Sequence, residues 1–169
     1  MGENIKLRAF PLRYRGLIDF ETIYHRIFSW MNLQLMHTYE NLHKDKAAGG
    51  GLREIEMSLT GLVKLDEFVM WQIMIHIKIW DAKDVEVMVD GKPKKMIQGR
   101  IQILMENTFI TDHGDFYASK SPFIKKLSQL LSRTRRRDEK LFPEQPVYDK
   151  VIALQNEFKK ILDIPTIAQ

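Results

Sequence analysis

The spacing of apolar residues changes along the chain, and each change predicts an element. Residues Ile5 to Tyr14 alternate loosely around Pro11. Proline offers no ladder donor, so this is a short strand or an edge strand, which Gly16 breaks. Asp19 then stands where an N-cap belongs, and Phe20, Ile23, Tyr24, Ile27, Phe28 and Met31 repeat with helical spacing, predicting a helix over about 20–31. From Leu33 to Lys46, residues Leu33, Leu35, His37, Tyr39 and Asn41 share one face of an extended strand, while Leu35, Tyr39 and Leu42 also fit a continued helix; the strand is the preferred reading. Ala47-Ala48-Gly49-Gly50-Gly51 is a connection of hairpin length.

The strongest β pattern follows. Ile55, Met57 and Leu59 alternate with Glu54, Glu56 and Ser58, and Gly61 is a candidate bulge. After a turn at Asp66-Glu67, Val69, Trp71, Ile73, Ile75, Ile77 and Ile79 occupy every odd position, predicting a core face. The even face is mixed, with Met70, Met74 and Trp80 available to a second layer. Ala82-Lys83-Asp84 reads as a turn, Val85, Val87 and Val89 as a further strand, Asp90-Gly91 as a tight turn, and 97–110 as a closing strand. The strands predicted at 67–81 and 97–110 would each reach about 45 Å if extended, long enough that the sheet must twist and curve.

The last third has helical periods. Ser121-Pro122 suits a helix start, and Phe123, Ile124, Leu127, Leu130 and Leu131 form a stripe. Beyond Pro143 and Pro146, Val147, Val151, Leu154, Phe158 and Ile161 form a second stripe, read as core-facing, which Ile164-Pro165 ends. The predicted fold is α+β over 1–169, a single domain. A curved antiparallel sheet of five to six strands carries one N-terminal and two C-terminal helices.

Composition narrows the chemistry. The 169 residues contain no cysteine, which excludes a disulfide scaffold, a thiol nucleophile and cysteine-held metals, and fits a reducing compartment. The first fifteen residues interleave Lys6, Arg8, Arg13 and Arg15 with apolar ones and hold no secretory core; the most apolar stretch, Phe68 to Trp80, is interrupted by Gln72, His76 and Lys78. No transmembrane segment is expected, and the chain reads as cytoplasmic.

Charge adds one asymmetry. Of 26 basic residues, seven fall between Tyr117 and Arg137, where no acidic residue occurs, leaving 19 basic against 22 acidic elsewhere. On a helix at 122–137, Lys125, Lys126, Arg133, Arg135, Arg136 and Arg137 form the candidate anion-binding set, most of them projecting away from the Leu127–Leu131 stripe. Cations also belong in a helix's last turns because of the macrodipole, and Asp138 and Glu139 are at hand to pair with them. A second basic group, Lys92, Lys94, Lys95 and Arg100, reads chiefly as protection of a sheet edge.

Other constellations carry less. His37 and His43 would share a strand face near Glu40, short of the three or four ligands that zinc wants. Asp112, His113 and Asp115 lack calcium-loop spacing, Ser58 and Ser121 lack a nucleophile elbow, Glu54 and Glu56 read as solvated, and the triple glycine has no phosphate-loop context. No cofactor and no catalytic group is expected. The run from Tyr14-Arg15-Gly16, through the helix and strands to Val85-Glu86-Val87-Met88-Val89-Asp90-Gly91-Lys92 and Gly99-Arg100-Ile101-Gln102-Ile103, resembles a group of small uncharacterised α+β proteins predicted from archaeal genomes. That resemblance implies a cytoplasmic protein of archaeal type and no particular activity. The expected function is a non-enzymatic binding or assembly module for an anionic partner, RNA or the ribosome or an acidic protein surface. The alternatives are a self-associating structural subunit, as a homo-oligomer, and a carrier of an apolar ligand between sheet and helices.

Overall fold

The structure, a computed structural model, describes residues 4–66, 69–89, 91–111 and 144–164. The predicted helix at 122–137 with its six candidate cations, the loop at 112–115 and Ser121 lie outside the described residues. The elements run β1 (Asn4–Lys6), β2 (Phe10–Ile18), α1 (Phe20–Leu33), β3 (His37–Gly49), β4 (Leu52–Lys64), β5 (Val69–Val89), β6 (Lys92–Thr111) and a C-terminal α2 (Glu144–Ile161). The six strands make one open antiparallel sheet in the order β1-β6-β5-β4-β3, with β2 also on β6, next to β1. The α+β class and the antiparallel sheet therefore agree with the sequence reading, and two helices are present among the described residues.

The one-sided burial of the sheet decides where the helices sit. Trp71, Ile73, Ile75, Ile77 and Ile79 of β5 are buried, as are Ile101, Ile103, Met105 and Phe109 of β6 and Ile55, Met57 and Leu59 of β4. They pack with Ile23, Ile27 and Met31 of α1 and with Val147, Val151, Leu154 and Phe158 of α2. Trp30 meets Trp71 edge-on at 6.1 Å between ring centres, and Arg26 of α1 pairs with Glu157 of α2 at 3.3 Å. The even-numbered side chains of β5 up to Trp80, and of β6 from Gln98 on, lie on the opposite face, called the open face because no described helix covers it.

Several local expectations need correction. Gly16 does not break β2; it continues the ladder opposite Gly99. Pro11 is tolerated within β2 because this strand pairs only with β6 and its other edge is free among the described strands. Helix α1 runs on to Leu33, and β3 begins at His37 rather than Leu33. Between them the Met36 amide bonds Met31 and the Leu35 amide bonds Asn32, with Leu35 at φ 56°, a left-handed helix ending formed by leucine instead of glycine. Gly61 is not a bulge: its pairing with Thr38 and Ile73 is continuous. Residues 82–84 do not turn. Strand β5 continues to Val89, and the disruption is a bulge between Trp80 and Lys83, where Asp81 and Ala82 together face Gly99.

Candidate anion-binding face

The bulge organises the open face. Without it, Trp80 and Lys83, three residues apart, would lie on opposite sides of the sheet; with it, Trp80 pairs with Arg100 and Lys83 with Gln98, both on the open side. The bulge depends on Gly99, because a Cβ there would stand 2.8 Å from the Trp80 carbonyl oxygen and 3.4 Å from that of Asp81. Asp81 adopts φ 55°, a conformation that aspartate tolerates better than most residues. Its carboxylate accepts from Arg100 Nε at 2.7 Å.

Edge strand β2 completes the cluster. Leu12 faces the core, so Arg13 and Arg15 project from the open side, opposite Gln102 and Arg100. Arg15 and Arg100 are direct cross-strand partners, an arrangement that costs stability when nothing lies between the charges. Arg13, Arg15 and Lys83 are exposed and form no ion pair with a described residue. Around them lie two adjoining hollows of about 490 and 430 Å³, both lined by Arg15 and Arg100. Together their walls hold four cations, Arg13, Arg15, Lys83 and Arg100, against one carboxylate, Asp81. Half-buried Trp80 lines the second hollow, with Lys78 Nζ 5.2 Å from its ring centre.

The predicted groups are divided by the fold. Of Lys92, Lys94, Lys95 and Arg100, the Lys94 ammonium bonds the Asp19 carboxylate and Arg100 bonds Asp81, while Lys92 and Lys95 are exposed. His37 and His43 do not share a face: the bulge between Glu40 and Leu42 sets His37 opposite Leu62 but His43 opposite Met57. Glu40 is 3.4 Å from His43. Among the described residues no group of three metal-ligating side chains comes together. Ser58 is buried, and Glu56, half-buried rather than fully solvated, stands opposite Lys44 and Lys78 in its two ladders. His76 lies 3.2 Å from Glu106 on the open face.

Arg13, Arg15 and Trp80 are not expected as site residues from the sequence, where the arginines only interrupt an apolar N-terminal stretch and Trp80 is available to a second layer. The signal for the arginines was present, since Pro11, Arg13 and Arg15 alternate with Phe10, Leu12 and Tyr14. Their meeting with Trp80 was not legible, because it requires the β2–β6–β5 order and the bulge. No helix among the described residues is long and apolar enough to cross a membrane. No protein-family model and no curated protein matches this chain.

Proposed function

We propose that the protein is a non-enzymatic binding module that docks an anionic partner, with RNA as the partner class. The observation that carries this reading is the exposed Arg13–Arg15 pair beside Arg100, on the sheet face opposite α1 and α2. Arg100 has Asp81 as its counter-ion, but Arg13 and Arg15 have none among the described residues, and a phosphate set beside them would supply it. The concentration of seven cations at 117–137 supports the same reading from the sequence side. Arginine suits it because the planar guanidinium offers two parallel donors to phosphate oxygens.

The test is direct. Single-stranded RNA should bind the full chain with a logarithmic affinity that falls by about 0.7 for each neutralised phosphate per tenfold rise in salt. Reversing Arg133, Arg136 and Arg137 to glutamate together should weaken binding more than tenfold and leave the unfolding midpoint unchanged. Wild-type affinity in that triple variant would remove the 122–137 segment from the interface. Failure of the wild-type chain to bind any RNA at low salt would overturn the whole reading.

A further inference from the structure

We infer that the hollows at the Trp80–Lys83 bulge form a subsite for single-stranded RNA, with backbone phosphates held by Arg13, Arg15 and Arg100 and a base stacked on Trp80. This rests on the RNA reading above and places its contact at a site remote in sequence from 122–137. Arg13 and Arg15 are two residues apart on one strand, about 6.8 Å, a separation suited to consecutive phosphates of a nucleic-acid strand. Arg100 stands across from Arg15; Asp81 holds its Nε, and its terminal nitrogens are the donors it would offer a phosphate beside Arg15. Trp80 follows on the next strand, as the cross-strand partner of Arg100.

The aromatic ring is what favours RNA over an acidic protein surface. Trp30 and Trp71 are 7% and 1% exposed and belong to the core beneath the helices. Trp80 lies half-buried on the other face, which no described helix covers, among cations that attract a backbone. A carboxylate-rich surface needs the arginines alone; stacking a base uses the indole as well.

Trp80 also supplies the readout. Titrating the full chain with a short oligouridine should quench its tryptophan emission saturably, and Trp80→Phe should abolish most of the quenching. Trp80→Ala should weaken affinity roughly tenfold or more. Arg13→Gln with Arg15→Gln should lower the salt slope by about 1.4, the value for two single-strand phosphate contacts. Should the double variant keep both affinity and slope, or Trp80→Ala bind like wild type, the subsite is wrong, while RNA binding that still depends on 122–137 would stand. Equal binding of polyglutamate with the same dependence on Arg13 and Arg15 would also overturn it, since that outcome describes an anion patch without base stacking.

Discussion

Lys94 donates to the carboxylate of Asp19, 75 residues away in sequence, and so ties the distal half of the β5–β6 hairpin to the start of α1. The same carboxylate caps the helix, accepting from the Thr22 amide at 3.2 Å and the Thr22 hydroxyl at 2.6 Å. Burial pushes the Asp19 carboxyl pKa up, but the bonds from Lys94 and Thr22 outweigh it and hold the group below its ordinary value.

A lowered carboxylate pKa stabilises the fold above the unfolded value, near 3.9, and that contribution is lost as pH falls through the folded value. Asp19→Asn keeps a capping oxygen and removes the charge facing Lys94. It should be less stable than wild type near pH 7, and the gap should close below about pH 4, as read by urea unfolding across pH. A gap independent of pH would show that the Lys94 contact contributes nothing electrostatic. Asp19→Ala, which also removes the cap, should cost about 1–2 kcal/mol at neutral pH.

Leu35 is 85% exposed and holds a left-handed backbone conformation at the end of α1. Glycine adopts that conformation without the steric cost of a Cβ, so Leu35→Gly should raise stability by about 0.5–1 kcal/mol after the greater entropy of the unfolded glycine is counted. Thermal and urea unfolding should both shift upward. A loss of stability would mean that the exposed leucine makes a contact worth more than its backbone strain.

Two glycines in the sheet should respond differently to alanine. At Gly99 the new methyl would meet the Trp80 carbonyl oxygen at 2.8 Å, and backbone cannot step aside. Gly99→Ala should therefore cost about 2–3 kcal/mol and disturb the bulge. At Gly61 the closest atom, at 2.8 Å, is the sulfur of Met36, the flexible part of a side chain that can give way, although Ile73 also crowds the site at 3.3 Å. Gly61→Ala should cost about 1 kcal/mol. Equal losses in urea unfolding would contradict the account of the bulge.

Buried Asn107 accepts from Trp71 Nε1 at 3.2 Å and donates to the Arg8 carbonyl at 3.4 Å. Asn107→Leu leaves the indole N–H buried without its acceptor and should cost about 1–3 kcal/mol. With Trp71→Phe, a double-mutant cycle should return a coupling of about 1 kcal/mol. Simple additivity would show that the bond contributes nothing net.

The chain's own pattern determined the elements that depend on near neighbours. Asp19 before a helical repeat marked α1, six odd-numbered apolar residues from Val69 to Ile79 marked the buried face of β5, and four-and-three spacing from Val147 to Phe158 marked α2. Periodicity reports which side of an element is apolar, and these elements bury one side only. What it does not carry is the partner strand. Gly16 and Gly61 looked like interruptions, yet each is accommodated by what lies across from it or above it. The bulges at Glu40–Leu42 and Trp80–Lys83 reverse which side chains share a face, separating His37 from His43 and bringing Lys83 beside Trp80. A bulge is a mismatch between two strands, so one strand read alone cannot announce it. The grouping of Arg13, Arg15, Trp80 and Arg100 was settled only when three strands distant in sequence came into register.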